Sequence, residues 1–208
     1  MTQRTADIID VLAGLDAGSP LSTVRDQRAQ ARDNAQLSFE ALLEPAEPGS
    51  FPLAERYAVA TFVALLHGFT EAAAFYADLL ADEAPELAAP IEAAAAAGAA
   101  AGPYGAYREV GLQGENREGL RWHPSSETTA AVGGRLAAAL AHTHLLVLRP
   151  REARAEHLRA LADAEWSADD IVTLSQLVAF LSFQLRAAWG LRVLAANPAS
   201  APTVSEGA

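Results

Sequence analysis

The most constraining feature of the chain lies near its C-terminal end. There Ile171, Leu174, Val178, Leu181, Leu185 and Ala188 recur at spacings of 3, 4, 3, 4 and 3 residues, the period of one helix face. Val172, Phe180 and Phe183 make other faces of the same segment apolar, so the helix predicted over 169–195 has to be central. Strand signals are nearly missing elsewhere: the chain carries no long alternating run of β-branched residues and no Asn-Gly hairpin turn. A fold whose longest element is an apolar helix, with nothing to pair as a sheet, is all-α.

The remaining helices are read from their start and stop signals. Ser22 is a candidate N-cap for a helix over 22–43, and Pro45 and Pro48 end it. The next helix starts near Ser50, with Pro52 in its first turn and an apolar stripe of Val59, Phe62, Val63 and Leu66. His67-Gly68 interrupts it, and Thr70 is a candidate cap for a helix over 71–81. An Ala-rich helix is expected over 85–101, and further helices over 125–148 and 150–164. Ser167 to Asp170 resembles a capping box for the long helix, with Asp in place of the usual Glu. Asn197-Pro198 ends that helix, and 197–208 reads as a flexible tail. Between the helices, 102–124 is a Gly-rich stretch carrying Tyr104, Tyr107 and Trp122. It reads as a connector, a lid or an arm whose aromatic residues anchor a partner subunit.

Composition excludes several kinds of chemistry. In 208 residues there is no Cys and no Lys; all 15 basic residues are Arg. Disulfides, thiolate nucleophiles, Cys-ligated metals, lysine Schiff bases and the P-loop lysine are therefore ruled out. The net charge of -11 argues against nucleic acid as a partner, because that affinity comes from basic contacts to phosphate. The segment before residue 15 carries Arg4, Asp7 and Asp10 and does not look like a secretory signal. The apolar stretch 171–191 is broken by Gln176, Gln184 and Arg186, which favours a buried helix over a membrane span. The expected location is cytoplasmic, and the Ala-rich, Arg-only composition suggests a GC-rich bacterial genome.

Two segments align without gaps: ERYAVATFVALL from Glu55 and DIVTLSQLVAFL from Asp170, at an offset of 115 residues. Each opens on a carboxylate and each ends Val-Ala-x-Leu. This predicts two related helical halves, 1–101 and 125–196, packed as one unit and joined through 102–124.

The repeat resembles the core of the alkylhydroperoxidase D-like, carboxymuconolactone decarboxylase-like superfamily. Its redox-active members carry Glu, eleven residues, Cys-x-x-Cys, three residues and His. Glu55 stands at the Glu position, His67 at the first Cys, Thr70 at the second Cys and Ala74 at the His. In the second half Asp170, Ser182, Leu185 and Trp189 take those places. Ser182-Phe183-Gln184-Leu185-Arg186 is similar to the Asn/Ser-Phe-x-x-Arg pattern of two-repeat, peroxidase-related members. The opening, from Asp7 to Arg28, is similar to a Cys-poor bacterial subgroup described as carboxymuconolactone decarboxylase-domain proteins. The resemblance implies the alkylhydroperoxidase D-like fold over roughly residues 6 to 196, and the small-residue surface of the Ala-rich helix together with the aromatic Gly-rich loop predicts a homodimer or larger homo-oligomer. The family's dithiol chemistry has no thiol here to carry it.

Three functions stay open on the sequence. The first is a homo-oligomer that binds a small apolar or carboxylated ligand through Arg186, Ser182, Gln184 and Thr70. The second is an acid/base enzyme of the decarboxylase or isomerase kind, in which Gly68 folds the chain back so that Glu55 and His67 meet. The third, least favoured, is thiol-independent peroxidase-related activity. No cofactor and no metal are expected. Gly-x-Gly-x-x-Gly and His-Glu-x-x-His are both missing. His142 and His144, two apart on a helix, point ~200° apart and cannot share one ion there. His157 sits in a charged stretch and His123 in the loop.

Overall fold

A computed structural model describes residues 7–197. The expected tail 197–208 therefore lies outside the described residues beyond Asn197. Over the described residues the secondary structure is ten α-helices and two short 3-10 turns, with one isolated bridge between Gly105 and Arg117. The all-α expectation holds.

Four of these helices begin at a side chain that accepts from the first free N–H groups. Asp7 caps α1 (Ile8–Ala13), accepting from the N–H of Ile9 at 2.9 Å and of Asp10 at 3.1 Å. The single helix expected over 22–43 is two: α2 (Pro20–Asp26), capped by Ser19 rather than Ser22, and α3 (Ala29–Leu43). The break at Gln27 and Arg28 lets two arginines from different helices meet the same acids. Arg25 of α2 and Arg32 of α3 both pair with Asp7, at 2.8 and 2.6 Å, and with Asp10. Asp10 is fully buried. This cluster ties α1 to α2 and α3.

α4 (Leu53–Leu66) is almost wholly buried. Arg56 inside it is satisfied by the carbonyls of Phe51 and Leu42, each at 2.7 Å. Gly68 follows in the left-handed region, φ 66°, and turns the chain into α5 (Thr70–Glu83). Phe69, not Thr70, occupies the N-cap position there. α6 (Pro85–Gly98) is the Ala-rich helix, ending short of residue 101.

The expected helix over 125–148 is also broken. α7 (Ser126–Val132) and α8 (Gly134–Leu148) meet at a 119° bend, where Gly133 takes φ 83°. A side chain at that φ would be strained, so the Gly133-Gly134 pair sets the bend. α9 (Ala155–Asp163) precedes α10 (Ala168–Ala196). At α10, Ser167 Oγ accepts from Asp170 N at 3.1 Å, and the Asp170 carboxylate accepts from Ser50 Oγ at 2.7 Å as well as interacting with Ser167.

One apolar core runs from Ile8 to Ala188 and draws on both sides of the 102–124 stretch. α10 is long and apolar enough to cross a bilayer by length and composition alone. In the fold, Leu174, Leu177, Val178, Leu181, Leu185 and Ala188 are buried against the rest of the chain, including α1, α3, α4 and α8. The loop aromatics are also spent within the chain. Trp122 is buried between Phe62 and His144, with ring centroids 5.4 and 5.3 Å away, and Arg151 lies 4.0 Å over the Tyr107 ring. Trp122 is therefore no anchor for a second subunit.

Replacing Asp10 by Ala would leave Arg25 and Arg32 short of a buried counter-charge. Removing one member of a buried pair costs roughly 3–5 kcal/mol. Urea denaturation of Asp10→Ala should show a loss of that order, and a loss below about 1 kcal/mol would mean the cluster does not hold the N-terminal helices.

Candidate functional site

The repeat offset recurs in space. α4 and α10 pack side by side, and positions 115 residues apart meet at two places along them. At their N-terminal ends Glu55 and Asp170 both face Arg135 of α8. One end further on, His67 Nε2 lies 3.5 Å from Ser182 Oγ. The two helices thus run parallel and in register.

Arg135 is fully engaged. Its Nε donates to both Glu55 oxygens, at 3.1 and 3.3 Å. Its other nitrogens donate to the carbonyls of Glu165 and Ser50, each at 2.8 Å. Asp170 Oδ2 stands 3.7 Å away, and the guanidinium lies 4.1 Å over the Trp166 ring. The two carboxylates are pushed in opposite directions. Burial raises Glu55 above the usual carboxylate range, Arg135 opposes this, and the charge of Asp170 adds to it. Burial also acts to raise Asp170, but hydrogen bonds from Ser50 and Ser167 and the charge of Arg135 outweigh it and hold it low.

The expected pairing of Glu55 with His67 does not occur. α4 is unbroken between them, and Gly68 makes its turn only after His67, so twelve residues at helical rise keep them ~18 Å apart. Glu55 is instead held by Arg135, 80 residues away. Nothing local in the sequence marks that partner.

His67 opens a cleft of about 260 Å³ at the other end of the pair, lined with it by Phe69, Leu185, Arg186 and Trp189. Phe69 and Trp189 meet edge to face, with centroids 5.4 Å apart. Burial, reinforced by the charge of Arg186, brings the imidazole down to about 4, so it is neutral near pH 7. Arg186 differs from the buried arginine the apolar helix suggests. It is exposed, and no acid among the described residues pairs with it. At 100° per residue it emerges just past the buried positions Gln184 and Leu185.

The four expected ligand-binding residues separate. Ser182 and Arg186, one turn apart, both face the His67 end. Gln184 lies ~200° around the helix from Ser182. It is fully buried and accepts from Tyr76 Oη, so it is no part of the cleft. Thr70 lines an adjoining depression with Glu71, Trp189 and Arg192. Phe69 was not legible as a wall of the site, whereas Trp189 was marked by standing at a repeat position. Among the described residues no group of three His, Asp or Glu side chains is placed to hold a metal ion. Comparison with protein-family models, curated proteins and solved structures finds no match to the chain.

His67 and His142 are each lowered to about 4, against an unfolded value near 6.5. Between those values the unfolded chain takes up protons that the folded chain refuses, so folding weakens as pH falls from about 6.5 towards 4. The parent should therefore lose on the order of 1–2 kcal/mol more than His67→Gln on acidification from pH 7 to pH 5. Melting temperatures of the two proteins across that window provide the check; parallel curves would place the imidazole in solvent.

Proposed function

We propose that the chain is a cysteine-free protein of the alkylhydroperoxidase D-like, carboxymuconolactone decarboxylase-like kind that binds a small apolar carboxylic acid in the His67 cleft. The family reading rests on the juxtaposition of Glu55 with Asp170 and of His67 with Ser182, the positions at which the repeat resembles that family.

The observation that carries the ligand class is Arg186. A guanidinium without an acidic partner among the described residues, at the edge of a cleft walled by Phe69, Leu185 and Trp189, suits a carboxylate with an apolar body. Neutral His67 adds a hydrogen-bonding group without a competing charge. The missing thiols leave no route to the family's peroxide chemistry.

The same reading includes a homodimer or larger assembly. On α10, Trp189 and Val193 stand one turn apart and line one depression while 52% and 46% exposed, and adjacent exposed apolar side chains of this kind suit an interaction surface. Light scattering should give at least twice the chain mass at micromolar concentration, and a monomer would remove this part of the reading.

Calorimetry with phenylacetate and octanoate tests the ligand class. Charge-assisted hydrogen bonds contribute about 1.5–3 kcal/mol, so Arg186→Gln should weaken binding about ten- to a hundredfold. Equal affinities for parent and variant, or no heat with either acid, would reject a carboxylate site at Arg186.

A further inference from the structure

α10 carries two faces. Leu174, Leu177, Leu181, Leu185 and Ala188 are buried in the core, whereas Asp169, Val172, Gln176, Ala179, Phe183 and Arg186 are all exposed. The exposed set recurs at spacings of 3, 4, 3, 4 and 3 residues, the heptad seam by which one helix packs on another. Asp169, Gln176 and Phe183 take the a positions of that heptad, and Val172, Ala179 and Arg186 the d positions. Val172 and Phe183 are each 55% exposed. Only 44% of the most apolar 18-residue window of the helix is buried within the chain.

The order of side chains along this seam complements its own reverse. Two copies of α10 can pack antiparallel with a two-fold axis passing between Leu177 and Val178, so that every a residue meets a d residue. Asp169 then meets the partner's Arg186, Val172 meets the partner's Phe183, and Gln176 meets the partner's Ala179. Each layer recurs by symmetry. Both end charges are available for this, because neither the Asp169 nor the Arg186 side chain has a hydrogen bond or ion pair among the described residues.

Gly190, the next position of the seam, fits the same register. Glycine inside a helix is less stable than alanine, and a Cβ at Gly190 would meet nothing within 4 Å, so no contact within the chain requires it. In the antiparallel pair Gly190 comes opposite the partner's Glu165, in the turn that leads into α10, and its missing side chain leaves room for that turn. A bilayer fits the face less well. An acid and an amide lie in the seam, and a net charge of -11 opposes approach to anionic lipid.

We propose that two copies of the chain join through this exposed face of α10, antiparallel, with Asp169 of each helix paired to the partner's Arg186. This names the surface of the homo-oligomer proposed above and rests on that reading. It also brings a residue of the second subunit to the rim of the His67 cleft. A guanidinium has five N–H donors and one carboxylate takes two of them; Arg32 of this chain serves Asp7, Asp10 and Asp26 at once. Arg186 therefore keeps donors for a ligand.

Sedimentation of the full chain over a dilution series gives the Kd of the dimer, and melting temperatures confirm that each variant is folded. Asp169→Arg and Arg186→Asp each set like charges against each other in two symmetric layers, and each should weaken the dimer at least about tenfold. The double variant restores opposite charges and should return to within about threefold of the parent. The chain has no Cys, so introduced thiols report alone. Val172→Cys/Phe183→Cys should be linked between subunits by a short bismaleimide. Val172→Cys alone should not, because the register holds the two copies of that position eleven residues apart along the axis, ~16 Å. A parent that is monomeric at micromolar concentration removes the homo-oligomer reading and this proposal together, and binding of such a monomer to phosphatidylcholine vesicles would assign the face to lipid. A dimeric parent overturns this proposal alone in any of three cases: neither single reversal changes the Kd, the double variant stays as weak as the singles, or linking fails in the paired variant or succeeds with Val172→Cys alone.

Discussion

The structure depends on two parallel helices held in one register. α4 is almost wholly buried and α10 is the longest helix among the described residues, and parallel packing of two apolar faces without a polar clamp would leave them free to slide by a turn. Arg135 supplies that clamp. It reaches Glu55 on one helix and Asp170 at the start of the other, and fixes the approach of the chain by bonding the carbonyls of Ser50 and Glu165. Because the clamp is only partly exposed, its ion pairs lose less to solvent screening than surface pairs do. With the N-terminal ends pinned, His67 and Ser182 arrive opposite each other three turns away.

The rest of the fold closes around this seam. The buried Asp7, Asp10, Arg25 and Arg32 cluster anchors α1 to α3, which cover one side of α10. Trp122 folds the end of the loop onto Phe62 of α4. Two clefts lie where this packing leaves room: the His67 cleft at the C-terminal end of α4, and one between α8 and α9 lined by His123, His142, His144 and His157. They differ in what they offer a ligand. One presents a guanidinium that no acid among the described residues pairs with, beside aromatic walls; the other gathers four histidines beneath arginines that Glu152 already pairs.

Much of the helical layout was legible because helix signals are local. Ser167 before α10, Pro52 and Pro85 at helix starts, and the 3-4 apolar spacing of α10 act within a few residues. The errors have local explanations too. The break between α2 and α3 carries no proline or glycine, and the sequence gives no warning of it; its reason lies in the acids that Arg25 and Arg32 share. The bend at Gly133 was signalled by two adjacent glycines.

What the sequence determined by itself was the all-α class, the centrality of α10, the offset of 115 residues and the exclusion of thiol and lysine chemistry. Each of these follows from residue type or from periodicity along the chain. Only the tertiary structure decided who meets whom. Glu55 found Arg135 rather than His67, Gln184 turned inward to Tyr76, Arg186 came to the surface, and four scattered histidines gathered at one cleft. The physical reason is that a helix keeps its own residues at fixed distances, while partners across the core are set by how helix faces rotate and bend to bury apolar surface. Spacing in sequence carries the first and is silent about the second.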